Sequence, residues 1–256
     1  MGNSKLVHYF LNMETSFDPK THSYLIDGKP ATGVTTIIGV LAKPNLIPWA
    51  ARMAVEFCIE HAEGAESRDI DILYHISSIA LEEAKSAHTR KKEAAGEHGT
   101  SSHSLVEEWI KNRMDNRMST TDFSPIQKFI DWATENVDHF LFSERKMFNK
   151  DLFIAGTADF AYVGKDGKKY MADFKTSSGI YGIDYWLQVA AYRMLAEEEG
   201  DEPYDGATVV RMGKDGSFEV KHRFDYETDK EAFMACLTIY RAQATFVKAK
   251  KSFVTK

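Results

Sequence analysis

Residues 155–177 read AGTADFAYVGKDGKKYMADFKTS, two apolar runs joined by the turn GKDGK at 164–168. A short Gly- and Asp-containing connection between two β-favouring runs predicts an antiparallel hairpin. Asp159 stands on its first strand, and Asp173 and Lys175 stand at the end of its second. Residues two apart on a strand point to the same face, so Asp173 and Lys175 share one, and hairpin pairing can bring Asp159 beside them. Carboxylates that close repel unless a cation lies between them, and a divalent metal supplies one. Mg²⁺ or Mn²⁺ suits hard oxygen ligands, while a neighbouring lysine can orient a water or hold charge developing on a phosphoryl group. Spacing alone is weak evidence, because the chain holds seven [DE]xK triplets, of which those at Asp18, Asp27 and Asp166 read as turns. The apolar strand leading into Asp173 sets it apart.

Outward from this hairpin, FLFSERKMFN at 140–149 predicts a preceding strand, and IDYWLQVAAYRMLAEEE at 183–199 a following helix. Gln188 and Tyr192, at i and i+4, share the face of that helix beside the strand end. GATVVRMGKDGSFEVKHR at 206–223 predicts another hairpin, and residues 231–251 a closing helix. Toward the N-terminus, SFDPKTHSYLIDGKP reads as a hairpin with DPK and DGK turns. Helical spacing starts near Val34, is interrupted at Pro44 and Pro48, and resumes through WAARMAVEFCIEHA. From Ile70 to Lys111 the apolar residues recur at three and four, predicting amphipathic helix with a break at Gly96 and Gly99. His103 and Glu107 form a further i, i+4 pair, with His98 as a rival histidine, and Pro125 marks another helix start. This order predicts an α/β protein, a central mixed sheet flanked by helices with an N-terminal helical elaboration. Residues 1–135 form the mainly helical part with its leading hairpin, and 136–256 the sheet and flanking helices of the same single domain.

Taken in order, Gly99-Thr100-x-x-His103, Gly156-Thr157-x-Asp159, Asp173-Phe174-Lys175-Thr176 and Gln188-x-x-x-Tyr192 resemble the RecB-like branch of the PD-(D/E)xK nuclease superfamily. The match spans about 90–195, and THSYLIDGKPATGVTTIIGVLAKPNLIPWA also resembles phage-type exonucleases and, more distantly, the mitochondrial genome maintenance exonuclease. The resemblance implies a restriction-endonuclease-like core and a metal-dependent DNA exonuclease acting on single-stranded or linear duplex DNA in recombination, repair or phage replication. It implies that His103, Asp159, Asp173 and the Phe174 backbone carbonyl bind Mg²⁺ or Mn²⁺. Lys175 would position or activate the attacking water, and Gln188 and Tyr192 would hold the site and a DNA phosphate. Glu144 matches a carboxylate position of some members, and Glu107 is a further candidate ligand. Members with an iron-sulfur cluster need four cysteines; Cys58 and Cys236 are the two present. A single-strand annealing protein is an implied partner.

Composition agrees with a globular protein of this kind. The 256 residues are 43% hydrophobic and 27% charged, and a net charge of −6 excludes a protein that coats nucleic acid through bulk charge while leaving room for local basic grooves. Basic residues cluster at 85–92, 165–169, 211–223 and in the tail KAKKSFVTK. No signal-peptide core or apolar run of membrane-spanning length is read, so a cytoplasmic protein of a bacterial or phage-infected cell is expected. Two alternatives remain open on the sequence: a structure- or site-specific endonuclease of the same superfamily, and a nucleic-acid-binding protein that keeps the fold without catalysis. Residues 46–112 are expected to wall a cleft, with Trp49, Tyr74 and Trp109 either stacking on bases or, the favoured reading, packed as core.

Overall fold

The computed structural model describes residues 14–43, 46–68 and 71–253. It divides into two compact units, one of Met1–Leu41 with Ser102–Lys256, the other of Ala42–Ser101. The larger unit is α/β, with a mixed sheet between two layers of helix. A small antiparallel sheet leads it: β1 (Thr15–Asp18), β2 (Ser23–Ile26) and β3 (Lys29–Pro30). The turn between β2 and β3 places Asp27 and Gly28 both at positive φ, which suits an Asp-Gly pair. Next come β4 (Thr32–Gly33) and the short helix α1 (Val34–Ile38).

The main sheet contains β7 (Val137–Asn149), β8 (Ile154–Gly164), β9 (Lys169–Lys175), β10 (Gly206–Met212) and β11 (Phe218–Arg223) together with β4. β7, β8 and β9 form an antiparallel meander, and β10 joins β9 in parallel after the helix α6 (Asp184–Glu198). One face buries Phe160, Tyr162, Ala172 and Phe174 against Val106 and Ile110 of α4 (Ala87–Met114) and Phe129 and Ala133 of α5 (Gln127–Asn136). The other buries Ala161, Met171 and Val209 under α1, α6 and α7 (Tyr226–Phe253). Alternation along β9 decides the site: with Phe174 packed into the first core, Asp173 and Lys175 turn to the opposite face.

β8 is paired along its length by β7, but its other edge is shared. β4 takes Ile154 and Ala155 in parallel, whereas β9 takes Phe160 to Val163. Between them residues 156–159 face a gap where the two partner strands diverge. Gly156 lies there because a Cβ at that position would sit 2.6 Å from Tyr192 Cε1 and 3.1 Å from Val34 Cγ2. Gly156→Ala is therefore expected to lower stability by about 1–3 kcal/mol through overpacking, read as a shift of the denaturant midpoint with an unchanged slope; an unchanged midpoint would show that α6 yields without cost.

In the smaller unit, α2 (Leu46–Glu60) is followed by the antiparallel pair β5 (Gly64–Arg68) and β6 (Asp71–His75), then α3 (Ser78–Ala84) and the first turns of α4. The helix expected from Ile70 is thus corrected. Ile72 and Tyr74 favour a strand, and helix starts only after Ser77, whose hydroxyl caps it by accepting from the Ala80 N–H. The expected break at Gly96 and Gly99 is also absent, and α4 runs through both. Each glycine costs a helix about 1 kcal/mol relative to alanine, too little to interrupt one this long. The Pro44 expectation lies outside the described residues.

Candidate metal centre

The pairing of β8 with β9 stops at Phe160 opposite Ala172, so the next positions in register are Asp159 and Asp173. Here a side chain replaces the strand ladder: the Phe174 N–H donates to Asp159 Oδ2 at 2.7 Å. Asp173 is fully buried, and neither of its oxygens has an aligned hydrogen bond; its neighbour is Lys175 Nζ, 2.6 Å from Oδ2. From the lysine the network continues into α6. Lys175 Nζ donates to Gln188 Oε1 at 3.3 Å, and Gln188 Nε2 donates to the Tyr192 hydroxyl at 2.9 Å. The i, i+4 spacing of Gln188 and Tyr192 makes this chain possible.

From the other side α4 brings His103, whose ring meets Phe174 edge-on at 4.9 Å and whose Nδ1 lies 3.7 Å from Asp159 Oδ2. β7 brings Glu144, which its register with β8 sets across from Asp159. His103, Glu144 and Asp159 are half-buried, and one ligand atom from each lies within 4.8 Å of the others, so the group can hold a metal ion. Glu144 reaches this position with a φ of 51°, a left-handed backbone unusual for a glutamate within a strand. Such strain gathers at sites where the surrounding structure over-determines a side chain.

Electrostatics mark the same place as short of positive charge. Burial raises the affinity of both Asp159 and Asp173 for protons, and the charge of Asp159 adds to the effect on Asp173. Burial, then Asp159 and Glu107, push Glu144 up to about 7. Burial opposes the charge on Lys175, but Asp173 and Asp159 outweigh it and keep the ammonium above its ordinary value. Burial and the charge of Lys175 lower His103, which favours the neutral imidazole that a metal requires. Burial with the two aspartates raises the Tyr192 phenol well above its usual range, so it stays protonated. Crowded carboxylates, a neutral histidine and a buried aspartate without aligned donors fit a divalent cation.

Asp159, Asp173, Lys175, Gln188, Tyr192 and His103 are all brought together, and Glu144 joins them. Asp173 stands outside the three-residue ligand set, paired with Lys175 instead. The Phe174 carbonyl faces His103. Glu107 pairs with Lys111 and acts on Glu144 through its charge. Gly99 lies within α4, and the side chains of His98 and Thr100 are outside what the structure describes. Trp109 packs edge-on against Phe129 and Phe140 as a core residue.

Three residues escaped the sequence reading. Arg211, opposite Lys175 in the parallel register, donates from Nη1 to the Ser177 carbonyl at 3.1 Å and so fixes the loop after Lys175. The Tyr185 hydroxyl donates to Ser177 Oγ at 3.3 Å, and the Tyr24 hydroxyl meets Thr157 Oγ1 at 2.8 Å. For Arg211 the missing signal was which strand would dock beside β9.

No family model matches the chain, and no curated protein matches it. Among solved structures, one described as "Crystal structure of SSO0001" is 18% identical over 38% of this chain, with a TM-score of 0.26. The aligned part spans 48% of that structure's chain, and a likeness of this size carries no argument.

Proposed function

We propose that the chain is a Mg²⁺- or Mn²⁺-dependent deoxyribonuclease of the RecB-like PD-(D/E)xK type, hydrolysing phosphodiester bonds from a DNA end. The observation that carries this reading is the fully buried Asp173 beside Lys175, with Asp159 at the next register position and one ligand atom each of Asp159, Glu144 and His103 within 4.8 Å of the others. The mixed sheet with helices on both faces supports it, and the ordered sequence motifs supply the superfamily. His103, Glu144 and Asp159 would hold the cation, with Asp173 and the Phe174 carbonyl as the other candidate ligands. When bound, the ion acts as a Lewis acid on the scissile phosphate and acidifies the attacking water.

The chain's own residues do the rest. Asp159, with one oxygen fixed by the Phe174 N–H, is held in a single orientation. Lys175 is kept charged, so its role is to donate hydrogen bonds and hold the negative charge that develops as the water oxygen bonds to phosphorus and the sugar oxygen departs. Gln188 accepts from Lys175 and donates to Tyr192, so the ammonium is held between Asp173 and α6.

Incubation of labelled linear single-stranded, linear duplex and covalently circular DNA with Mg²⁺ or Mn²⁺ tests the reading. Linear DNA is expected to disappear only when the metal is present, with circles left intact. Cleavage of circles would make it an endonuclease. Survival of every substrate in both metals would overturn nuclease function.

A further inference from the structure

Beside the metal centre stands a cluster of rings that the chemistry above does not use. Lys146, two residues after Glu144 on β7, is paired across the sheet with Thr157, and Thr157 is two residues before Asp159. The Tyr24 hydroxyl, 2.8 Å from Thr157 Oγ1, ties the β1–β2 hairpin to this spot. Around Tyr24 gather Phe17 at 5.0 Å, His22 at 6.3 Å and Phe148 at 5.9 Å between ring centroids, and Phe17 meets His22 edge-on at 5.1 Å. Lys146 Nζ lies 4.9 Å from the centre of the Phe17 ring. Tyr24 is buried as the anchor, Phe17 and Phe148 are half-buried, and His22 and Lys146 are exposed. His22 holds a left-handed backbone with φ 52°, as does Glu144 nearby.

A hairpin that merely covered a sheet edge would bury its rings and point its charges away. This one leaves Phe17 half-buried with the Lys146 ammonium against its ring, and Thr157, where the hairpin is tied down, is two residues or about 7 Å along β8 from Asp159. Partly exposed rings next to a lysine are what a single nucleic-acid strand uses, since unpaired bases stack on aromatic faces and their phosphates seek the cation. Duplex DNA offers no open base face to such a platform. We propose that Phe17, His22 and Lys146 form a stacking subsite for an unpaired nucleotide of the DNA strand entering the metal centre. This rests on the nuclease reading and adds that the substrate is engaged as a single strand.

The test is fluorescence anisotropy with a labelled oligothymidylate and with a duplex of the same length, in EDTA so that nothing is cut. Phe17→Ala is expected to weaken oligothymidylate binding about ten-fold, the effect of losing one stacked base, and to leave duplex binding unchanged. Phe17→Trp keeps a large apolar ring at the position, and is expected to bind the single strand at least as well as wild type. Lys146→Ala is expected to reduce the slope of log affinity against log salt by about 0.7, one phosphate contact on a single strand. In Mg²⁺, Phe17→Ala should raise KM with kcat retained. If wild type binds and degrades oligothymidylate while Phe17→Ala and Lys146→Ala match it, the subsite is wrong and the nuclease reading stands. Equal weakening toward duplex overturns the single-strand preference. A wild type that neither binds nor degrades either DNA overturns both readings.

Discussion

Asp173→Asn is expected to reduce metal-dependent DNA hydrolysis by about 10³-fold or more, about 4 kcal/mol of barrier, while making the folded protein more stable. The two effects have one cause. A fully buried carboxylate without an aligned hydrogen bond, beside a second carboxylate, is held charged at a cost to the fold. Asparagine keeps the shape and removes the charge, and Lys175 keeps Asp159 as a counter-charge, so stability at neutral pH should rise by about 1–3 kcal/mol, several degrees in Tm for a protein of this length. The sign with pH follows from linkage. Burial and Asp159 raise the folded pKa of Asp173, so this residue's contribution is most favourable below the ordinary carboxylate range and is lost as pH rises through the folded value. Wild type and Asp173→Asn should therefore melt together near pH 4 and separate progressively toward pH 7. Calorimetry across that range decides it: a less stable Asp173→Asn at pH 7 would mean that the ion pair with Lys175 outweighs the burial cost.

Lys175→Met carries the opposite stability sign. The side chain is 21% exposed and Asp173 is 0% exposed, so removing the ammonium leaves a buried charge without its counter-ion. A loss of about 2–4 kcal/mol is expected, close to what breaking a buried pair costs, with a fall in hydrolysis of about 10²–10³-fold. Adding Asp173→Asn to Lys175→Met should restore most of the stability and none of the activity. Denaturant unfolding of the two single variants and the double closes the cycle. Should the double variant stay as unstable as Lys175→Met, the lysine would be acting through its packing against Gln188 and Tyr185, and the charge pairing would carry little of the effect.

The parts of the site that could be read from the sequence are those governed by period and turn. Asp173 and Lys175 share a face because Phe174 between them must enter the core, and GKDGK fixes the hairpin that places Asp159 opposite. Gln188 and Tyr192 followed from helical spacing. Glu144 was named through resemblance alone, since nothing in a strand pattern announces a glutamate with a left-handed backbone. Arg211 and Tyr24 depend on which strand lies beside β9 and where the first hairpin docks, both long-range choices that local pattern does not encode. The β5–β6 pair was misread for a different reason: Ile72, Ile76 and Ile79 have helical spacing by coincidence across a strand, a loop and a helix.

The shared edge of β8 also sets an order of assembly. β7, β8 and β9 meet through short connections, so their pairing closes small loops and can form early, whereas β4 comes from the other end of the chain and β10 waits for the α6 crossover. The meander thus gathers Glu144, Asp159 and Asp173 before Gln188 and Tyr192 arrive to steady Lys175. Lys175 arrives with Asp173 on β9, so the meander carries part of the relief of its own carboxylate repulsion, and the hydrogen bonds of Gln188 and Tyr192 are added when α6 docks.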